Sequence, residues 1–282
     1  GEAKIDARSN APVFRISRSA VVSNLDLDMT GFRECVQVEG GPDVRPLLDN
    51  LVIACSGDDG VIVQGRARPI FARCKIQGRK CGVKFLEEGG GELRDCHIEG
   101  CGSSGAALMG AAQPDLLRCT IKDNGEEGVV AMEGARGSII DCRILSNQGP
   151  GVDLSGLSNL KIERSSIEGN IGGVWLWDEA QCDAKSCTIK GGTAFGVLRD
   201  GASIAAFEGC TIEDGVHSTP VPTKADISNA KSPFGLPEQR GRPGRPGVLS
   251  IPEESNKIGG GAGRLPSEIK PFVFIPDKFL RK

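Results

Sequence analysis

The residues of this chain that could do chemistry are mainly thiols and carboxylates. The 282 residues include 11 Cys but only two His and no Tyr, so imidazole and phenol chemistry is scarce. The pairs Cys96/Cys101 and Cys182/Cys187 have a C-x4-C spacing that zinc can use, but no second pair follows at a finger-like distance. We therefore predict no metal site and no cofactor.

Three carboxylates are the best candidates if the chain is an enzyme: Glu133, Asp153 and Asp178. Two carboxylates held at a fixed separation can act as general acid and general base in the cleavage of a sugar chain. Whether these three side chains meet depends on the elements that carry them.

A repeat of 22 or 23 residues sets the positions of these side chains. One residue of each repeat stands two places before an isoleucine, and these residues are Leu51, Cys74, Cys96, Cys119, Cys142, Ser165, Cys187 and Cys210. A Gly-Val pair recurs with the same period, as in Gly128-Val129 and Gly151-Val152. Each period holds three short apolar stretches separated by turns.

Such a short period predicts a solenoid, because one repeat cannot bury its apolar face alone. The apolar stretches alternate and break at glycine, which is typical of strands, and crossovers between parallel strands are right-handed. We predict an all-β fold, a right-handed single-stranded parallel β-helix of about nine coils. The predicted domains are the β-helix, residues 1–217, and an extended, partly docked Pro/Gly-rich C-terminal segment, residues 218–282.

The order Cys-x-Ile, turn, Gly-Val, turn and apolar strand resembles the repeats of the CASH-type, pectate-lyase-like right-handed β-helix superfamily. The resemblance covers roughly residues 23–214. Members include polysaccharide lyases, hydrolases and epimerases, and also interaction domains of some F-box proteins. The resemblance therefore implies the fold and leaves two classes of function open.

The carboxylates match known catalytic arrangements only in part. The stretch Gly57–Asp59, GDD, resembles the aspartate pair of polygalacturonases, but the other motifs of that family are absent. Glu133 and Asp178 share one column two coils apart, roughly 10 Å, which is near the upper limit for an inverting glycosidase. We predict that the chain has no catalytic residue. If the chain is an enzyme, the predicted catalytic residues are Glu133, Asp153 and Asp178.

A column of alternating charge precedes the cysteines: Arg73, Asp95, Arg118, Asp141 and Arg164. Because coils stack in register, each arginine is expected on the outer flank of a strand with a carboxylate above and below it. We interpret the column as a structural charge ladder that fixes the register.

An outward apolar surface is predicted on the strand that follows the Gly-Val glycine. Trp175 and Trp177 should face outward and be exposed, close to Val130 and Leu198. Exposed indoles on a solenoid indicate a surface that something covers, either a partner, a sugar or the chain itself.

The C-terminal segment differs in composition from the rest of the chain. It holds ten of the 16 prolines, and 11 of the 34 basic and six of the 37 acidic residues, which is a net charge of +5 against −8 for residues 1–217. Its run Pro271–Leu280 is expected to bind the tryptophan surface or another subunit through Phe272, Phe274 and Phe279.

The leading interpretation is a non-catalytic interaction or scaffold protein, a structural subunit of a larger protein assembly. The alternative is a polysaccharide-active enzyme or carbohydrate-binding β-helix. We expect other protein subunits as partners, carbohydrate as the alternative ligand, no nucleic acid and no membrane insertion. The many cysteines outside disulfide-like spacings favour a reducing, intracellular compartment, the cytoplasm first, with an organelle left open because the sequence starts at Gly1.

Overall fold

A computed structural model describes residues 3–8 and 10–219 of the chain. These residues form a right-handed parallel β-helix of about nine coils, which confirms the predicted fold class. Among the same residues no helix is long and apolar enough to cross a membrane. The expected conformation of the C-terminal segment falls outside the described residues from residue 220 onward.

The first of two sheets takes two strands from most coils. Its 17 strands are Ala3–Ala7, Val21–Met29, Leu47–Cys55, Ile70–Ala72, Lys75–Gly78, Gly90–Arg94, His97–Glu99, Gln113–Leu117, Thr120–Lys122, Arg136–Ile140, Arg143–Leu145, Asn159–Glu163, Ser166–Asn170, Gln181–Lys185, Thr188–Gly191, Ile204–Glu208 and Thr211–Glu213. All pairings are parallel, and the register joins residues one period apart, so that Ile121 pairs with Ile98 and Ile144.

The second sheet takes one strand from each coil. Its ten strands are Phe14–Ile16, Val36–Gly40, Val61–Gly65, Val83–Phe85, Ala106–Leu108, Val129–Ala131, Pro150–Leu154, Gly172–Leu176, Val197–Asp200 and Val216–Thr219. The last of these strands pairs with Val197–Asp200, so the described part of the chain ends in the second sheet.

A residue in the left-handed conformation turns the chain at the corner between two first-sheet strands. Arg118, with φ of 52°, lies between the strands Gln113–Leu117 and Thr120–Lys122. The whole charge column occupies this corner: Arg73, Asp95, Arg118, Asp141 and Arg164 have φ between 46° and 55°. The expected place on a strand flank is therefore wrong, because a left-handed residue interrupts the strand.

The charged residues pair two by two at these corners. Arg118 donates two hydrogen bonds to Asp95, at 2.7 and 3.0 Å, and Arg164 does the same to Asp141, at 2.8 and 3.0 Å. Arg73 pairs with Asp49 of the preceding coil. Each arginine thus binds the carboxylate one coil back, and not carboxylates on both sides as expected, because a guanidinium directs its donors at one carboxylate in a bidentate pair.

The cysteine column lies inside the coils, next to the corners. Cys119 and Cys142 are buried, and the Cys119 backbone N–H donates to the Cys142 Sγ at 3.3 Å. The Cys142 N–H donates in the same way to the Ser165 Oγ at 3.0 Å. A small side chain with an acceptor atom therefore satisfies a buried N–H of the coil before it, which explains why cysteine and serine share this column.

All eleven cysteines are free, and ten of them are buried. Burial raises the pKa of the Cys35 thiol to about 12 and that of the Cys101 thiol to about 11. These thiols stay protonated at neutral pH, so they pack as small apolar side chains and are poor nucleophiles.

A buried asparagine ladder crosses three coils at the turn before the second sheet. Asn124 Nδ2 donates to Asn147 Oδ1, and Asn147 Nδ2 to Asn170 Oδ1, each at 2.8 Å. The same oxygens accept the backbone N–H of the asparagine one coil back, at 3.1 and 3.0 Å. The ladder satisfies buried backbone donors where the chain leaves the sheet.

The glycine of the Gly-Val pair allows close contact between coils. A Cβ added to Gly128 would lie 2.6 Å from the Gly151 carbonyl oxygen and closer still to the Ile144 Cγ2. Gly105 and Gly151 have equivalent surroundings one coil to either side. The strict recurrence of glycine therefore reflects a steric requirement of the stacked core.

Candidate functional site

One outward column of the second sheet is buried from Gln37 to Leu198, between an exposed Arg15 at one end and a half-buried His217 at the other. Its members pair in register one coil after another, and we call them the covered face: Gln37, Ile62, Lys84, Ala107, Val130, Asp153, Trp175 and Leu198. Each is at most 6% exposed. Their strand neighbours, such as Val129 and Ala131 beside Val130, belong to the interior core, so these eight side chains point away from it.

Outward side chains of the first sheet differ in exposure from those of the covered face. Its outward residues Val52, Lys75 and His97 stack in the same parallel register, yet all are exposed, Val52 by 41%. Neighbours within a sheet therefore do not bury an outward side chain in this fold. The second sheet is covered on its outer face.

The tryptophans form the centre of an apolar cluster at one end of the covered face. Trp175 and Trp177 pack edge to face, with ring centroids 6.1 Å apart and planes at 88°, and Leu198 completes the cluster. The indole of Trp175 lies against Gly172, where a Cβ would overlap the ring. The aromatic residue Phe195 packs against the cluster while remaining half-buried.

The two tryptophans lie outside the interior core and are buried: Trp175 is 3% and Trp177 is 1% exposed. Val130 and Leu198 lie in the same column but do not touch each other across it, since Asp153 and Trp175 intervene. Phe272, Phe274 and Phe279 lie outside the described residues.

Two charged residues near the other end of the covered face form a buried pair. Lys84 Nζ is 3.3 Å from Asp59 Oδ2, and the other Asp59 oxygen accepts the Cys81 backbone N–H at 2.9 Å. Asp58 pairs with Lys80 at 2.9 Å. Both aspartates of the GDD stretch therefore hold turns and lysines in place, and neither faces a substrate-sized opening as a free carboxylate pair.

The three carboxylates named from the sequence lie in two different settings. Asp153 is on a strand of the covered face and is 1% exposed. Glu133 and Asp178 lie at left-handed turn positions, with φ of 66° and 58°, about three residues or 10 Å further along the strand direction. Glu133 is exposed, whereas Asp178 is half-buried.

The turn carboxylates have a structural use. An Asp178 oxygen accepts the Gly156 N–H of the preceding coil at 3.3 Å, and Glu87, in the same column, accepts the Gly65 N–H at 2.8 Å. Their repetition follows from the turn, which leaves a backbone donor that a carboxylate can satisfy. The structure does not gather Glu133, Asp153 and Asp178 around one opening.

Residues 3–8 and 10–219 contain one cleft at the N-terminal coils and no cluster of the kind that binds a metal ion. No group of three or more His, Cys, Asp or Glu side chains there could hold a metal ion. An open cleft of about 330 Å³ lies at the turn after the second sheet, lined by Gly40, Gly41, Gly65, Arg66, Glu87 and Glu88. It lies at the N-terminal coils, away from Asp153 and the tryptophans. The period predicts this outward column from Lys84 to Leu198, and the structure extends it to Gln37 and Ile62.

The comparisons with known proteins bear on the fold. The family described as "Right handed beta helix region" matches residues 34–183. No curated protein gives a significant match. The A-module of a mannuronan C-5 epimerase from Azotobacter vinelandii is 12% identical, with a TM-score of 0.46 over 73% of this chain and 80% of that one. A pectate lyase is 11% identical, with a TM-score of 0.44 over 78% and 66%. The chain belongs to the right-handed β-helix family.

Proposed function

We propose that this protein is a non-catalytic interaction module that holds a polypeptide on the covered face and acts as a structural subunit of a protein assembly. The observation that carries the proposal is the burial of all eight side chains of that face, while the outward residues of the first sheet are exposed or half-buried. Ala107, Val130, Leu198 and the indoles offer the apolar centre that is usual in protein interfaces.

The carboxylates support the non-catalytic part of the proposal. Glycan cleavage by acid and base needs two carboxylates that both reach the scissile bond. Asp153 is buried, and Asp178 accepts a hydrogen bond from a backbone N–H of the coil before it. A sugar chain on this surface would find one exposed candidate, Glu133.

The proposal is tested by affinity isolation of the tagged full chain from its source cells, with two matched variants. Val130→Arg places a charge on the covered face, and Val52→Arg places the same charge on the exposed outer face of the first sheet. We expect the wild type and Val52→Arg to retain the same partner subunits and Val130→Arg to lose them. Equal retention by both variants would show that the covered face is not the interaction surface.

The second candidate function is polysaccharide modification. It is favoured by the spacing of Glu133 and Asp178, two coils apart, which is about 10 Å and near the separation used by inverting glycosidases. The test is a screen of acidic and neutral polysaccharides for cleavage or epimerisation, with Asp178→Asn and Asp153→Asn as variants. Turnover by the wild type that either variant abolishes would replace the interaction proposal.

We propose a reducing intracellular compartment for the protein. Eleven free cysteines support this, because an oxidising compartment would select for paired cysteines. The location of a tagged full-length protein, relative to markers of the cytoplasm and of oxidising compartments, tests it.

A further inference from the structure

We propose that copies of this protein associate end to end, with the acidic last coil of one copy on the basic first coil of the next. The surfaces concerned are the two ends of the β-helix, so the inference goes beyond the covered face and the proposed function. Free strand edges, open apolar side chains and opposite charge at the two ends support it.

Both ends of the β-helix have strand edges with no partner among the described strands. At the C-terminal end, Ile204–Glu208, Thr211–Glu213 and Val216–Thr219 each pair with the coil before them, and no described strand follows. At the N-terminal end, Ala3–Ala7 and Phe14–Ile16 pair, among the described strands, only with the coil after them. The outer edge of each of these strands has backbone N–H and C=O groups that can pair with another chain.

Apolar side chains of the interior are open to solvent at the C-terminal end. Val216 continues the interior column of Val197, which is fully buried, yet Val216 is 54% exposed. Phe207 and Ile212 likewise continue interior columns and are only half-buried. Solenoids normally end in capping repeats whose outer face is polar, because the last coil otherwise exposes the core. The last described coil therefore has the surface of an interior coil and not that of a cap.

The N-terminal end offers the complementary surface. Ile5 pairs with the buried core residue Leu27 and is itself 36% exposed, and Phe14 pairs with the buried Val36 and is half-buried. Val21, which begins the next strand, is 72% exposed. Inside the β-helix the C-terminal side of each coil packs on the N-terminal side of the next coil. The two ends of the molecule are therefore the two halves of the interface that joins its coils.

Charge favours contact between unlike ends. Residues 204–219 include Glu208, Glu213 and Asp214 and no Lys or Arg, which is a net charge of −3. Residues 3–23 have a net charge of +3, from one acidic residue and four basic residues, which are Lys4, Arg8, Arg15 and Arg18. All of these charged side chains are exposed. Contact between two C-terminal ends, or between two N-terminal ends, would bring like charges together, whereas unlike ends attract each other.

The charge columns that reach the last coil show the same preference. Lys185 stacks between Glu163 and Glu208, and its Nζ is 2.9 Å from a Glu208 carboxylate oxygen. In the neighbouring column, Lys190 Nζ is 2.6 Å from a Glu213 oxygen. The first of these columns alternates in charge, and both end on a carboxylate at the last coil. A cation is therefore the next member that fits them.

An end-to-end contact of this kind is heterologous, because the two ends are different surfaces. A heterologous contact leaves one free end of each kind on every oligomer, so copies joined along the β-helix axis form open filaments rather than closed dimers. The expected product is a series of oligomers whose mass rises with concentration in steps of one chain, 29.6 kDa.

Analytical ultracentrifugation of the full 282-residue chain and three charge-reversed variants tests the inference. Glu208→Lys/Glu213→Lys makes the last coil basic, and Arg15→Glu/Arg18→Glu makes the first coil acidic. The control, Glu99→Lys/Glu163→Lys, reverses two carboxylates that also pair with basic side chains but lie away from both ends.

We expect the mean mass of the wild type and of the control to rise with concentration, and to rise less in high salt. Each end variant alone should associate more than about tenfold more weakly, because like charges then meet at its ends. A mixture of the two end variants should regain association, since the basic last coil of one fits the acidic first coil of the other. Recovery also shows that both variants are folded.

A monomeric wild type at every concentration would overturn the inference. Oligomers that all three variants weaken equally, or a mixture that does not recover although circular dichroism shows both variants to be folded, would do the same. Val216→Thr keeps the charge and the shape of an exposed side chain and should also weaken association, so unchanged association of this variant would contradict the apolar contact. None of these residues belongs to the covered face, so the proposed function can fail or hold separately.

Discussion

At the scale of single residues, buried amides satisfy backbone donors of neighbouring coils. Asn147 occupies the centre of the buried ladder, where its oxygen accepts two hydrogen bonds from Asn124 and its nitrogen donates to Asn170. Each buried partner that loses its hydrogen bond costs about 1–3 kcal/mol. A ladder member should therefore matter more than any surface charge.

We expect Asn147→Ala to lower the free energy of unfolding by about 2–4 kcal/mol, because the backbone N–H and the Nδ2 of Asn124 both lose their acceptor. Denaturant unfolding followed by circular dichroism measures the loss. The matched control is Asn159→Ala, which removes a hydrogen bond to Gln181 at the surface and should cost far less. Similar losses in both variants would mean that the ladder is not a special source of stability.

The ion pairs at the corners affect the pKa of their carboxylates. Hydrogen bonds from Arg118 are the main cause that lowers the pKa of Asp95, and the charge of Arg118 adds to them. A lowered folded-state pKa contributes stability above the ordinary carboxyl range, and this contribution is lost as the pH falls through the lowered pKa. The pair should therefore matter at neutral pH and fade in acid.

We expect Arg118→Ala to raise the pKa of Asp95 toward its ordinary value of 3.8. Asp141, whose pKa is lowered mainly by Arg164, should change much less and serves as the internal control. Carboxyl chemical shifts followed by NMR across the acid range measure both. An unchanged Asp95 pKa would show that the bidentate contact is not formed in solution.

At the scale of elements, the spacing of coils is set by glycine. Gly128 faces Ile144 and the Gly151 carbonyl at distances that leave no room for a Cβ. We expect Gly128→Ala to lower the free energy of unfolding by at least the 1–3 kcal/mol that is typical of an overpacked core. Gly41→Ala is the control, because nothing lies within 4 Å of a Cβ at that position. A Gly128→Ala protein as stable as Gly41→Ala would contradict this account.

The sequence was sufficient to predict the stacked columns, because a strict period places residue i over the residue one period later. The outward column from Lys84 to Leu198 is paired as the period predicts. The corners could not be predicted in the same way, since alternation says nothing about a left-handed residue such as Arg118 that interrupts a strand. Asn124, Asn147 and Asn170 recur at steps of 23, so the ladder had a visible signal in the sequence.

Burial of the candidate site was the part that the period could not reveal. Alternation gives the direction in which Trp175 and Val130 point, but exposure depends on what covers the sheet, and a local pattern carries no information about a remote cover. The exposed Val52 and the buried Val130 have the same direction relative to their coils. Only the structure separates them.

At the scale of the whole molecule, the cysteines report on most of the coils. They run from Cys35 to Cys210, and only Cys210 is partly exposed. We expect a thiol reagent at pH 8 to label at most one cysteine per native molecule and all eleven in denaturant, because ten of the thiols are buried and out of reach of the reagent. Labelling of several cysteines in the native protein would show that the coils open readily.

The stacking of the coils also sets the response of the β-helix to force. Hydrogen bonds between coils run along the helix axis, as from Thr120 N–H to Cys96 O and from Arg143 N–H to Cys119 O. A pull along that axis would load the coil interfaces in series, so the coils would separate one after another, with the contour growing by one period at each event. A pull across the axis would shear many hydrogen bonds at once. The module is therefore mechanically anisotropic, compliant under axial tension and stiff against transverse load.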